Sequence, residues 1–295
     1  MELVDLETFA AIARHGGVTR AAAAMNTVQS NVTARLKALE LELGARLFER
    51  HSRGVVLTAA GQRLLPYAGR VRALVAEARR VTADDGIPRG PFRLGAMETT
   101  AALRLPPLLV TYARACPEVE LVVSTGSTTM LLQEVLEHRL DVALVAGPMV
   151  HAELEEEAAF EEELVLVTAP NLRGPDALAG AGGLKVLVFR AGCSYRQRLE
   201  AILAARGIAG ARWLEFGTLD GIVGCVAAGV GVTLLPRIVV EAAARAGQVK
   251  LHVLPMAEAK VTTVLVRRRA AYVSSALNAF LAMVRNDRPL AAAAE

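Results

Sequence analysis

Residues Val18 to Thr58 constrain this chain more than any other stretch, because helix-stop signals, core spacing and basic residues coincide there. The alanine run Ala21–Ala24 predicts a short helix with a smooth face that a second helix can cross closely. In that second helix Val28, Val32, Leu36, Leu39 and Leu43 follow at spacings of four, four, three and four, one apolar stripe, and Gly44 stops it. At about 100 degrees per residue the opposite side carries Ser30, Thr33, Ala34 and Lys37, with Gln29 and Asn31 at the N-terminal end. Short polar and basic side chains of this kind contact base edges or phosphates when a helix enters the major groove. Arg46 to Arg50, the turn His51-Ser52-Arg53-Gly54 and Val55 to Thr58 predict a hairpin with a basic tip. A helix-turn-helix followed by such a hairpin is a winged DNA-binding domain, expected over residues 1–58. Between residues 20 and 63 seven Lys/Arg stand against three Glu, a net of +4. A Gln-Ser-Asn helix alone would read as an ordinary solvated face; the hairpin and the N-terminal position turn the reading toward DNA. Gln29, Ser30, Thr33 and Arg35 are assigned to base choice, and Arg50 and Arg53 to phosphates.

The same stretch resembles the N-terminal domain of LysR-type transcriptional regulators. The resemblance runs through Leu6-Glu7-Thr8-Phe9, Ala21-Ala22, Gln29-Ser30, Leu39-Glu40, Leu43-Gly44, Leu47-Phe48-Glu49-Arg50 and Leu57-Thr58-Ala59-Ala60-Gly61. The family often has Arg where this chain has Ala34, with a basic residue here at Arg35 instead. The resemblance implies double-stranded DNA as a partner and admits RNA polymerase as another.

A length of 295 residues suggests two or three domains, and a 53% hydrophobic content can fill sizeable cores. The net charge of +3 is small, so any DNA-binding surface must be local. Cys116, Cys193 and Cys225 have no zinc spacing and are odd in number, which predicts reduced thiols. Glu2, Asp5 and Glu7 break any apolar leader, and no apolar run is long enough to span a membrane, so a cytoplasmic location is expected. A first helix over residues 3–14, ended by Gly16-Gly17, completes the small N-terminal core.

Thr58 is the expected N-cap of a long helix over residues 59–84. Leu64, Ala68, Val71, Val75 and Ala78 repeat at four, three, four, three, the spacing of a two-helix seam, and Pro66 is a candidate kink. In the family the corresponding helix pairs two subunits, so the resemblance implies a homodimer, and by extension a homotetramer, on DNA of matching two-fold symmetry.

Residues 85–91 carry two prolines and two glycines without periodicity and read as a hinge. From residue 92 short apolar strands alternate with helical stretches, which predicts an α/β fold. The strands are expected at Phe92–Met97, Val119–Ser124, Asp141–Ala146, Leu164–Thr168, Lys185–Phe189, Trp213–Phe216, Val230–Leu235, Lys250–Leu254 and Val261–Val266. So many strands suggest two lobes, one of about 92–164 plus 259–295 and one of about 165–258. Parallel sheets bind ligands beyond the carboxyl ends of their strands. The loops there hold Glu98, Thr99 and Thr100; Ser127, Thr128 and Thr129; Cys193, Ser194 and Tyr195; and Thr218 and Asp220. This arrangement is similar to the two-lobed, periplasmic-binding-protein-like effector domain of LysR-type regulators. The resemblance implies a small-molecule effector held by those eleven residues.

A carboxylate at a cleft mouth is costly to desolvate unless paired. Glu98 and Asp220 therefore need either an internal Arg, from Arg104, Arg190 or Arg196, or a cationic ligand. Glu98-Thr99-Thr100-Ala101-Ala102, Ser124-Thr125-Gly126-Ser127 and Cys193-Ser194-Tyr195-Arg196 resemble strings of the putrescine-utilisation regulators within the family. That likeness implies a polyamine or other amine effector.

Glu153, Glu155, Glu156, Glu157, Glu161, Glu162 and Glu163 form an acidic run beside His151, read as a solvated surface or a contact to basic neighbours. Cys193 at a helix N-terminus is a site where a thiolate would be stabilised, although packing explains it more simply. Five scattered histidines, no nucleophile elbow and no phosphate loop leave no catalytic residues, metal site or cofactor to assign. Gly229-Val230-Gly231 leads into a strand, unlike a dinucleotide fingerprint. The alternative is a solute-binding protein without a transcriptional role, which leaves residues 1–58 unexplained.

Overall fold

The computed structural model describes residues 1–51, 54–172, 183–190, 192–208 and 210–287. The chain forms two compact units, Met1–Asp84 with Glu137–Arg139, and Asp85–Leu136 with Leu140–Glu295.

In the first unit α1 (Leu3–His15) buries Leu6, Phe9 and Ile12, and Gly16 ends it at φ +66, its amide bonded to the Ile12 carbonyl. α2 (Val18–Ala24) buries Ala21 and Ala22 at the crossing with α3 (Gln29–Leu43). The α3 stripe is shorter than its spacing suggests. Val32 and Leu39 are buried, but Val28 is the N-cap and 65% exposed, and Leu43 is 40% exposed. A three-helix domain this small has core enough for the middle of the stripe only. β1 (Phe48–His51) and β2 (Gly54–Leu57) pair antiparallel, and the Phe48 ring lies 5.4 Å from that of Phe9.

α4 (Ala59–Ala83) starts as expected, with the Thr58 Oγ1 accepting from the Gly61 amide at 3.0 Å. A Cβ on Gly61 would stand 2.3 Å from the Leu47 carbonyl oxygen, so only glycine lets the helix start this close to the chain leading into the hairpin. The helix runs unbroken past Pro66. Its exposed apolar residues are not the expected row: Ala68 is buried in the N-terminal core, while Tyr67, Val71, Leu74 and Val81 are exposed. With Ala78, also exposed, they repeat at four, three, four, three, the same heptad spacing rotated around the helix.

The second unit begins with β3 (Gly90–Ala96), α5 (Glu98–Leu103), α6 (Leu105–Ala115), β4 (Val119–Thr125), α7 (Thr128–Leu136) and β5 (Val142–Ala146). β3 lies between β4 and β5, parallel to both. Next come β6 (Leu154–Thr168), β7 (Lys185–Phe189), α8 (Ser194–Ala205), β8 (Arg212–Phe216) and α9 (Leu219–Ala227). The rest is β9 (Thr233–Pro236), α10 (Arg237–Arg245), β10 (Lys250–Val253), α11 (Met256–Ala259), β11 (Lys260–Arg268) and α12 (Ser275–Asn286).

The long strand β6 divides the unit. From Leu154 to Glu163 it pairs with β11, which pairs in turn with β5; from Leu164 to Thr168 it pairs with β9 and β10. β7 pairs with β8 and joins the second sheet through a parallel bridge from Val186 to Val232. A Cβ on Gly231 would meet the Lys185 carbonyl oxygen at 2.2 Å, so this backbone approach needs glycine. The first lobe has an aromatic core of Phe92, Tyr112 and Phe280, with the Tyr112 hydroxyl donating to the Ala276 carbonyl at 2.8 Å.

The acidic run is therefore mostly strand. Along β6, Glu155 pairs with Arg267, Glu157 with Arg285, Glu161 with Lys260, Glu162 with Arg104 and Glu163 with Arg237. Basic neighbours from β11, α12, α10 and the α5–α6 junction neutralise what the sequence shows only as a block of negative charge. Among the described residues no set of His, Cys, Asp and Glu could hold a metal ion, and no helix is long and apolar enough to cross a membrane.

Candidate functional site

On the N-terminal unit the start of α3 presents Gln29, Ser30 and Asn31 to solvent, with Thr33 half-buried and Lys37 exposed one and two turns further on. Local hydrogen bonds order this face. The Thr19 hydroxyl donates to the Gln29 side-chain oxygen at 3.2 Å, the Asn31 amide to the Thr27 hydroxyl at 3.0 Å, and the Thr33 hydroxyl to the Gln29 carbonyl at 2.8 Å. Arg35 is elsewhere. Its guanidinium bonds Asp5 at 3.0 Å and approaches Glu2 at 3.8 Å, so it clamps α3 to α1 and leaves the set assigned to base choice. In the hairpin the backbone of Arg50 lies in β1, while Arg53 lies outside the described residues.

On the second unit, the turns after β3 and β4 end on one side because these strands are parallel, and the turn after β7 meets them from the second lobe. They form a narrow compartment lined by Met97, Glu98 and Thr99 from the first turn, Gly126, Ser127 and Thr128 from the second, and Phe189, Cys193 and Tyr195 from the third. Its space is about 10 Å³, room for roughly one water. A wider cavity of about 360 Å³ adjoins it, lined by Thr128, Thr129, Gly192, Ser194, Gln197 and Arg198 with Leu132 and Ala146 to Met149. Thr128 lines both compartments, and its hydroxyl and that of Ser194 are 2.8 Å apart, a hydrogen bond that joins the lobes. Gly192 makes the approach closer: a Cβ there would be 2.9 Å from the Ser127 Oγ and 3.1 Å from the Thr129 Oγ1.

Glu98 is half-buried and makes no ion pair among the described residues. The arginines considered as its internal partners are not there. Arg104 pairs with Glu162 at 2.8 Å over the Phe160 ring, and Arg196 pairs with Glu200 and Glu215 over Trp213. Arg190 is exposed and is not among the lining residues. The Thr99 Oγ1 is buried and faces the Tyr195 hydroxyl, but it meets hydrogen-bond geometry with no group. Thr100 lines neither compartment and lies with Leu103, Arg104 and Glu162 instead.

Two more of the expected residues, besides Thr100, are not in the cavity. Thr218 caps α9, accepting from the Gly221 amide at 3.3 Å, and Asp220 sits exposed in the first turn of that helix. Asp220 therefore needs no partner, since water solvates it. Cys193 is the N-cap of α8, yet burial pushes its thiol up and outweighs the amides of Arg196 and Tyr195. It is a packed thiol and not a stabilised thiolate. Burial likewise raises the Tyr195 phenol. Sequence reasoning missed Gln197, Arg198 and the turn Gly147-Pro148-Met149. The turn follows β5, whose carboxyl end obeys the same rule as those of β3 and β4. Gln197 and Arg198 lie a turn inside α8, where spacing alone does not separate a cleft-facing position from a solvated one.

Comparison with known proteins accounts for both units. Residues 3–62 match the family described as bacterial regulatory helix-turn-helix protein, lysR family, and residues 85–288 match the LysR substrate binding domain. The chain is 43% identical over 281 residues to the HTH-type transcriptional regulator YusT of Bacillus subtilis, covering 95% of this chain and 94% of that one. It is 39% identical to the regulator GltR of the same organism, with 97% of both chains covered. Among solved structures, full-length CbnR complexed with its target DNA shares the fold at a TM-score of 0.69 and 22% identity, over 97% of this chain and 99% of that one.

Proposed function

The chain belongs to the LysR family of DNA-binding transcriptional regulators, and on that premise we propose an effector and a division of labour on DNA. It is a transcription factor with an effector-binding domain, not an enzyme.

The effector proposed is an amine. One observation carries this: Glu98 lines the interlobe cleft with no ion pair among the described residues, and a half-buried carboxylate gains most from a cation that also donates hydrogen bonds. The likeness of the cleft strings to those of putrescine-utilisation regulators supports polyamines as candidates within this class. A ligand held between the lobes shifts their packing and so alters how the DNA-binding units are spaced. The exposed row Tyr67, Val71, Leu74, Ala78 and Val81 on α4 supports pairing of two subunits, and four subunits on one operator follow the same logic. RNA polymerase is a further partner of a regulator bound this way, in the cytoplasm.

On DNA, Gln29, Ser30, Asn31 and Thr33 choose bases, while Lys37 and the wing residues Arg50 and Arg53 hold phosphates. Binding of the full chain to its operator and to unrelated duplex, measured across a salt series, tests this. Gln29→Ala should cost preference for the operator by about 1–3 kcal/mol, whereas Lys37→Ala should weaken both duplexes alike and lower the salt slope by about one. Equal loss of preference in both variants refutes the division. For the effector, diamines and monoamines should raise the thermal midpoint of the full chain, and Glu98→Gln should abolish the rise; stabilisation by amines that survives Glu98→Gln removes Glu98 from the site.

A further inference from the structure

We propose that the interlobe cleft is built for a zwitterion, an ω-amino acid or similar short molecule whose ammonium meets Glu98 and whose carboxylate meets Arg198. This deepens the amine reading above and rests on it. The two compartments carry opposite charge. Glu98 is the charged residue of the narrow one, and Arg198 is the charged residue of the wider one. Neither has an ion-pair partner among the described residues. The Arg198 guanidinium, half-buried, donates to the Lys260 carbonyl at 3.2 Å, which leaves most of its five N–H groups for a ligand.

The groups between the two charges suit a polar, extended molecule. Thr128 lines both compartments, so a ligand reaching from one to the other passes the Thr128 and Ser194 hydroxyls, now bonded to each other at 2.8 Å. The Thr99 hydroxyl, 4% exposed and without a hydrogen-bond partner, lines the narrow end, where an ammonium would donate to it alongside Glu98. At the other end the Ser194 hydroxyl and the Gln197 amide line the wider compartment beside Arg198, where a carboxylate would accept from them. A diamine would place its second ammonium against Arg198, and a dicarboxylate its second carboxylate against Glu98. The narrow end has room for little more than an ammonium head group, so a chain joining it to the wider compartment must part the Thr128 and Ser194 hydroxyls. Occupancy and lobe position are thereby coupled.

The experiment is calorimetric titration of the full chain with ω-amino acids from glycine to ε-aminohexanoate and with α-amino acids. Straight-chain diamines and dicarboxylates of matched length are titrated in parallel. Zwitterions should bind, with affinity peaking at one chain length, and the matched diamine and dicarboxylate should bind at least about tenfold more weakly. Glu98→Gln and Arg198→Ala should each lower zwitterion affinity about ten- to hundredfold, the loss of one charge-assisted bond. Arg198→Glu should exchange the preference for a diamine of the same length. Diamines binding the unaltered chain as well as zwitterions do would overturn the zwitterion and leave the amine reading standing. Binding of dicarboxylates alone would overturn both, and no binding by any zwitterion would overturn the inference itself.

Discussion

Replacement of Gly192 by alanine separates a backbone effect from a contact between lobes. Gly192 has φ +90, and a left-handed conformation costs a residue with a Cβ about 1–2 kcal/mol. The new methyl would also stand 2.9 Å from the Ser127 Oγ and 3.1 Å from the Thr129 Oγ1, closer than ordinary contact. Ser127 can rotate away, giving up its weak 3.4 Å bond to the Met130 amide, but Thr129 is β-branched and sits in the first turn of α7. Such overpacking costs about 1–3 kcal/mol if the lobes hold their positions. Gly207, φ +71, and Gly183, φ +85, have nothing within 4 Å of a built Cβ, so alanine at either position reports the backbone cost alone. Urea denaturation of the three variants at one protein concentration gives the comparison. Gly192→Ala should lose about 1–3 kcal/mol more than Gly207→Ala, and the excess should shrink in Gly192→Ala/Ser127→Gly. Equal losses at Gly192 and Gly207 would refute the argument, because the lobes would then not be in contact at this point in solution.

Two other perturbations test separate parts of the chain. Arg35→Ala removes the clamp from α3 to Asp5 and Glu2; the pair is partly exposed, so the loss should be about 0.5–1 kcal/mol by thermal or chemical denaturation, with operator preference unchanged. A change of preference as large as that of Gln29→Ala would return Arg35 to the reading face. His252 is buried in β10, its Nε2 2.9 Å from the Thr168 Oγ1, and burial, then Lys250, holds it below its ordinary value. The unfolded chain, titrating near about 6.5, takes up this proton first, so stability is full above that pH and falls as pH drops through the folded-state value. His252→Gln should flatten that part of the stability profile, and an unchanged slope would assign it to other groups.

Local chemistry made much of the fold legible. Gly16 and Gly44 stop their helices, Thr58 caps α4, and the strands around 92, 119, 142, 185 and 250 fall within a residue or two of their apolar runs. The largest error in the strands has its origin in charge. The glutamates of 153–163 hide a strand because β propensity is low for Glu, and the strand exists only because β11 lies on one side of it and arginines from distant segments neutralise it.

The sequence by itself determined the element types, the N-terminal helix-turn-helix and the family, since periodicity and caps act between residues a few positions apart. Tertiary structure alone decided which side of each element is used. It turned Ala68 inward and left Val71 and Leu74 outward, although both rows repeat with heptad spacing, because the small domain had one place for α4 to pack. It likewise gave Arg35 to Asp5, Arg104 to Glu162 and Arg196 to Glu215, while Glu98 and Arg198 remained facing the cleft. An ion pair forms across 30 or 58 residues of chain only where packing brings its ends together, so which charges are left for a ligand is a property of the fold.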